Sequence, residues 1–232
     1  MPRARAWTLG DDRLADHWER HSAHEGDALE AWLTSVLSSG RAVAADLGCG
    51  TGRHAALLAE HFARVVAVDL SGPMVDVARE LRPRPNIDYV VTDVLDVRGS
   101  FDLVFSSAML HHVADLDAVL RHIRSLVAPG GRAVLVDVIA PSRRSFRIAT
   151  TVAPRLVYRA DALAKLVIGL ARRRADALET YRLHTFRPWL DHLATDRFVT
   201  AADFDARYGD VFVGASFVPL RYFRACVWDA PR

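Results

Sequence analysis

Residues 41–52, RAVAADLGCGTG, pass from a short apolar run directly into a turn with glycines at 48, 50 and 52. Glycines at alternate positions let the backbone turn tightly and approach a bound group, because no Cβ stands in the way. The alternation of apolar runs and helical spacing then continues to about residue 138. Strands are predicted at Arg41–Asp46, Arg64–Asp69, Ile87–Thr92, Phe101–Ser106 and Arg132–Val138. A helix is predicted from Gly52 to about Phe62, with Ala55, Ala56, Leu58, Ala59 and Phe62 inward. Ser71 reads as an N-cap with Pro73 in the first turn of a helix to Leu81. Leu116, Val119, Leu120, Ile123, Leu126 and Val127 share one helical face, and Ala128-Pro129-Gly130-Gly131 stops that helix. Strands that read as unbroken Val, Leu and Ala runs are buried on both faces, as in a parallel sheet.

Beyond Val138 the alternation ends. Residues 141–198 have helical patterning and carry most of the local positive charge: between Pro141 and Arg187 there are ten Arg and one Lys, against Asp161, Asp176 and Glu179. A last helix is predicted to start at Thr200, with Asp203 at capping-box spacing. Val211–Val218 and Arg221–Val227 are predicted as an antiparallel strand pair joined at Pro219-Leu220. The expected fold is therefore α/β, doubly wound, with a mostly parallel seven-stranded sheet and helices on both faces. A helical cap is inserted after the fifth strand. The expected divisions are an N-terminal helical lid (1–40), a ligand-binding core (41–140), the cap (141–198), and the last helix with its strand pair (199–232).

Composition narrows the function. The net charge of +2 is too small for a dedicated nucleic-acid binder. Apolar stretches are broken by charges before membrane-spanning length, and the N-terminus lacks the apolar core of a signal peptide. These features predict a cytoplasmic protein without stable membrane insertion. Cys49 and Cys226 stand too far apart in sequence to suggest a disulfide framework and read as small buried residues.

The acidic residues around the glycine turn indicate the ligand. Asp69 ends the second strand, nineteen residues past Gly50, where a carboxylate can accept hydrogen bonds from both hydroxyls of a ribose. A dinucleotide fingerprint would place its third glycine at Arg53, and a carboxylate at Asp46 would repel a pyrophosphate. Asp46 instead suits a ligand carrying an ammonium group and a sulfonium.

Taken together, residues 42–138 resemble the class I S-adenosylmethionine-dependent methyltransferases of the small-molecule type. AVAADLGCGTG resembles their first motif, VVAVDLSGPM the second, VTDVLDV the third and FDLVFSSAMLHHV the fourth, while LVAPGGRAVLVDV resembles the approach to the fifth strand. The resemblance implies S-adenosyl-L-methionine as cofactor. It implies Asp46, Gly48 and Gly50 at the methionine end, Asp69, Leu70 and Met74 at the ribose, Asp93 and Val94 at the adenine, and Ser106 beneath the sulfonium. It also excludes some acceptors. Ser106-Ser107-Ala108-Met109 stands where enzymes acting on DNA amino groups carry an Asn/Asp-Pro-Pro-aromatic run, and where cytosine-C5 enzymes carry Pro-Cys. Asp137 is the one acid available for a metal-dependent catechol site, so no metal is expected.

What remains is methyl transfer to an O, N or C nucleophile of a small-molecule acceptor. His111 is the candidate general base, with the alternative that the His111-His112 pair only opens the next helix. His17, His21 and His24 at helical spacing read as part of the lid, with metal binding the competing reading. Tyr181, His184 and Trp189 are candidate acceptor residues. The apolar and basic stretch 152–174 reads as a cap over an apolar acceptor, an interfacial helix for anionic lipid, or a packed helix or homodimer face. Two further readings stay open: a cofactor-binding protein without methylating activity, and a methyltransferase for a lipid or quinone-type acceptor at a membrane surface.

Overall fold

The computed structural model describes residues 15–20, 28–37, 41–140, 154–174, 177–193 and 198–232. The histidines at 21 and 24 and the first part of the cap, 141–153, lie outside the described residues. Five parallel strands form the core of the sheet: β1 (Arg41–Leu47), β2 (Phe62–Asp69), β3 (Ile87–Val91), β4 (Phe101–Ser107) and β5 (Val127–Ala140). The strand order is β3-β2-β1-β4-β5-β8-β7, with β7 at Ser216–Leu220 and β8 at Phe223–Asp229. β8 runs antiparallel to both β5 and β7. A two-residue strand, β6 (Val199–Thr200), pairs with the end of β5 beside this seven-strand path, so the sheet has eight strands.

Both faces of the sheet are covered, as the unbroken apolar strands required. Ala44, Leu103 and Phe105 point to one side, where they meet Leu33 of helix α2 (Ala28–Val36) and Ala55 and Leu58 of α3 (Arg53–Leu58). Ala45, Leu47 and Val104 point to the other. There they meet Val119, Leu120 and Ile123 of α5 (Leu116–Leu126) and Phe204 and Tyr208 of α9 (Ala201–Val211). Helix α4 (Gly72–Leu81) begins at Ser71, whose side chain accepts a hydrogen bond from the Met74 amide, as the sequence predicts. After β5 come α6 (Pro154–Ala171), α7 (Ala177–Thr185) and α8 (Arg187–Leu193), and residues 15–20 form α1, ahead of the sheet.

Two predicted boundaries are corrected. Helix α3 stops at Leu58, and Phe62 starts β2, where it pairs in register with Arg41. The Phe62 side chain is still buried in the same cluster as Ala55 and Leu58, so helical spacing mistook a strand residue for a helix face. Val211 belongs to α9, not to a strand. Phe204, Tyr208 and Phe212 are all buried at four-residue steps, and Thr200 caps the helix by accepting from the Asp203 amide at 3.2 Å. The hairpin therefore turns at Arg221-Tyr222, with Arg221 at φ 54, and Pro219 sits within edge strand β7.

Candidate functional site

The sheet order reverses between β1 and β4, so a crevice opens at their carboxyl ends. The glycine turn lies there. Gly48, Gly50 and Gly52 have φ of 77, 52 and 82, in the left-handed region that glycine tolerates. Their surroundings differ. A Cβ at Gly48 would lie 2.5 Å from Met109 Cγ, so that glycine admits a neighbouring side chain and not open ligand space. A Cβ at Gly50 would lie 3.4 Å from the Trp18 indole nitrogen, beneath the lid. At Gly52 it would meet the Tyr89 hydroxyl at 2.7 Å, so this glycine lets α3 close on the sheet.

Two carboxyl groups flank the turn. Asp69 Oδ2 accepts from the Gly50 amide and Oδ1 from the Ser71 amide, both at 2.8 Å. Asp69 thus ties the glycine turn to the start of α4. Burial raises its pKa, and the amides of Ser71, Gly50 and Leu70 offset that only in part. Asp46 is 1% exposed, and among the described residues its Oδ2 meets no hydrogen-bond donor. Burial, and then the nearby Asp69 charge, push its pKa up to about 8. A carboxyl enclosed in this way is costly to ionise without a cationic partner. Cys49 is a free buried thiol, held well above its ordinary pKa by burial and by these two acids.

Helix α1 packs on this turn. Glu19 of α1 receives Arg82 on both oxygens, at 2.5 Å and 3.1 Å, and the Thr51 hydroxyl at 2.5 Å. Arg82 also donates to the Thr51 carbonyl at 2.8 Å. Trp189 of α8 is buried with Ala15 and Met74, and its ring centroid is 5.5 Å from that of Trp18. His17 stacks on Phe186 at 4.9 Å. Helices α1, α4 and α8 therefore meet beside the glycine turn. Among the described residues no group of three His, Cys, Asp or Glu side chains is placed to hold a metal.

The ends of the remaining strands complete the site. Asp93 caps a short 3₁₀ turn at Val94–Asp96 by accepting from the Leu95 amide at 2.9 Å, and Val94 packs partly against the core. Leu70 is exposed, whereas Met74 is buried under the lid. Ser106 is fully buried, and its hydroxyl donates to the Leu47 carbonyl at 2.8 Å, which ties β4 to the end of β1. His111 lies in a 3₁₀ turn, Leu110–His112, just past β4. Its Nδ1 is 2.5 Å from Oδ1 of Asp137 on β5, and both side chains are buried. Asp137 Oδ1 also accepts from the Val138 amide at 2.9 Å. Phe198, delivered by the β5–β6 pairing, lies 4.9 Å from the His111 ring.

The predicted acceptor residues sit in α7 and α8. Tyr181 and His184 are half-buried, and His184 Nδ1 lies 2.7 Å from the Thr180 carbonyl. Trp189 is 4% exposed in the lid–cap contact. Sequence reasoning missed the His111–Asp137 pair and the Glu19–Arg82–Thr51 network. Asp137 was visible as an acid at a strand end, but nothing local showed its partner.

Residues 45–135 match the family model described as a methyltransferase domain. The core is a class I methyltransferase domain. S-adenosylmethionine is the cofactor of that class. The domain's first relatives include an uncharacterized methyltransferase of Mycobacterium tuberculosis, 33% identical over 119 residues, which are 50% of this chain and 60% of that protein. A ubiquinone biosynthesis O-methyltransferase of Xanthomonas axonopodis pv. citri is 37% identical over 110 residues, 45% of this chain and 46% of that protein. The chain thus spans about 60% or less of the length of these relatives. Human N-acetylserotonin methyltransferase has a similar fold, with TM-score 0.63 at 15% identity over 100% of this chain and 61% of that one. The methyltransferase that Haloferax volcanii pairs with an activator protein has TM-score 0.66 at 16% identity, over 95% and 97% of the two chains. The chemistry of the methyltransferase domain's crevice fits the class cofactor. A buried carboxyl, Asp46, whose Oδ2 meets no donor among the described residues, lies beside the glycine turn, and cationic groups at the methionine end would supply its counter-charge.

Proposed function

We propose that this chain transfers a methyl group from S-adenosylmethionine to a small-molecule acceptor whose nucleophile carries a proton. In this reading Asp46, Gly48 and Gly50 hold the methionine end. Asp69, Leu70 and Met74 hold the ribose, Asp93 and Val94 the adenine, and Ser106 braces the floor. Residues 1–40 act as lid, 41–140 as cofactor core, 141–198 as cap and 199–232 as completion of the sheet. Asp69 has both carboxylate oxygens held by backbone amides, and the remaining lone pairs suit ribose hydroxyls.

The observation that carries the reading is the buried His111–Asp137 pair at the ends of β4 and β5. Asp137 accepts the Nδ1 proton, which fixes the imidazole tautomer and places the basic lone pair on Nε2. Bound S-adenosylmethionine supplies an electrophilic methyl on sulfur. His111 Nε2 takes the acceptor's proton as the nucleophile forms its bond to the methyl carbon and the carbon–sulfur electron pair returns to sulfur. Asp137 positions the ring and stabilises the imidazolium. Tyr181 and His184, half-buried in the cap, are the proposed acceptor contacts, whereas Trp189 is assigned to the packing against Ala15 and Met74. An oxygen nucleophile is favoured by the O-methyltransferases among the relatives.

The test is methyl transfer from labelled cofactor to a panel of phenolic, amine and carbon-acid acceptors. His111→Ala should lower kcat by about 10²–10⁴-fold, the usual range for a general base, with cofactor affinity unchanged. Asp137→Asn should lower kcat and shift the acidic limb of the pH profile to lower pH, because the imidazolium loses its counter-charge. Full rates with an unchanged pH profile in both variants would remove the dyad from the chemistry.

A further inference from the structure

Helix α6 carries its apolar face on the outside. Its inner face is made of small and half-buried residues: Ala162 is fully buried, Gly169 is buried, and Tyr158 and Leu166 are half-buried. Helix α7 covers that face so closely that a Cβ at Gly169 would lie 2.8 Å from the Cβ of Ala177. On the opposite side Leu156, Leu163, Val167 and Leu170 recur at helical spacing. They are 66%, 52%, 59% and 59% exposed, and Ile168 beside them is 52% exposed. Ala160, Ala164 and Ala171 fill the surface between them and are exposed as well. Large apolar side chains in one continuous exposed patch mark an interaction surface and not ordinary surface scatter.

The charges around this patch choose the partner. Arg159 and Lys165 lie on α6, and Arg172, Arg173 and Arg174 follow at its C-terminal end. Against these five cations stands one carboxylate among the described residues of the segment, Asp161, already paired with Lys165 at 2.8 Å. Two-fold pairing of this face with a second copy would bring two cationic sets together. An anionic surface complements it. Long basic side chains beside an apolar stripe can reach up to headgroups while their stems lie along the acyl boundary. None of the described helices is long and apolar enough to cross a membrane.

We propose that α6 docks the protein on an anionic lipid bilayer. Leu156, Leu163, Val167, Ile168 and Leu170 enter the headgroup–acyl boundary, and Arg159, Lys165, Arg172 and Arg173 meet the lipid phosphates. The inference rests on the geometry of α6 and holds whether or not the methyl-transfer reading does. Combined with that reading, it places the cap of the site at the bilayer surface, where an apolar acceptor dissolved in the leaflet would be presented.

Vesicle flotation of the intact chain tests it without any turnover. The protein should float with phosphatidylcholine/phosphatidylglycerol vesicles and stay behind with phosphatidylcholine alone, and added salt should weaken the association. Leu163→Asp/Val167→Asp and Arg172→Glu/Arg173→Glu should each reduce bound protein by on the order of tenfold or more. All four positions are exposed, so both variants should keep the parent circular dichroism and melting temperature. No flotation with anionic vesicles, equal flotation with neutral ones, or full binding by the variants would each overturn the proposal. So would light scattering that shows a dimer, dissociated by Leu163→Asp/Val167→Asp, in protein that ignores vesicles. That result would assign the face to a second copy of the chain.

Discussion

At the residue scale, the protonation of Asp46 links structure to ligand binding. With its pKa raised to about 8 in the ligand-free protein, the carboxyl is mostly neutral at pH 7. A raised acid pKa stabilises the folded state fully below the unfolded value, and that contribution is lost as pH rises from about 4 through about 8. A cationic ligand beside Asp46 favours the ionised form, so binding near pH 7 should release a proton. Calorimetry of S-adenosylmethionine binding at pH 7 should therefore give heats that depend on the ionisation enthalpy of the buffer. Asp46→Asn should bind more weakly and lose most of that dependence. Heats that are the same in every buffer would separate Asp46 from the cofactor's cationic groups.

At the element scale, the carboxylate of Glu19 ties helix α1 to the glycine turn and Arg82. Burial raises the pKa of Glu19, but hydrogen bonds from Arg82 and Thr51 outweigh it and leave the group below the ordinary glutamate range. A depressed acid pKa stabilises the contact above the unfolded value, and that stability is lost as pH falls through the folded one. Arg82→Ala leaves Glu19 half-buried without its cation, at a cost of about 1–3 kcal/mol. Limited proteolysis should then cut residues 1–40 faster, and faster in the parent protein too once pH drops below the ordinary glutamate range. Cofactor should also dissociate more quickly from Arg82→Ala. Unchanged cleavage and dissociation would mean that other contacts hold the lid, such as the Glu30–Arg53 pair and the packing of Trp18, Trp189 and Met74. The elements themselves were largely legible beforehand. All five parallel strands and the caps at Ser71 and Thr200 follow from local pattern. Phe62 and Val211 were misplaced because each is apolar at a spacing that suits helix and strand alike. Only the pairing of Phe62 with Arg41 and the packing of α9 decided between them.

At the scale of the whole molecule, lid, core and cap converge at the carboxyl edge of the sheet, and their side chains should separate by effect. Tyr181→Ala and His184→Ala should change acceptor turnover while cofactor affinity stays within about 0.5 kcal/mol, as expected for sites without shared partners. Trp189→Ala should behave differently, because the ring is buried against Ala15 and Met74. Loss of a buried aromatic of this size costs about 3–5 kcal/mol, so thermal stability should fall and the lid should loosen with it. Melting curves alongside acceptor kinetics distinguish the two patterns. A stable Trp189→Ala protein with altered acceptor choice would return Trp189 to the acceptor pocket.

The sequence alone determined the five parallel strands, the glycine turn and the cofactor class, because each is written in neighbouring residues: periodicity, caps and residues at strand ends. The tertiary structure decided the rest. His111 and Asp137 meet across 26 residues only because β4 and β5 are adjacent, and Glu19 reaches Arg82 across 63 because α1 folds back over α4. Met109 at Gly48 shows the same limit, since a glycine announces close approach without saying by what. For α6, spacing shows that the helix has an apolar face. Only the position of α7 on the opposite side shows that this face points outward.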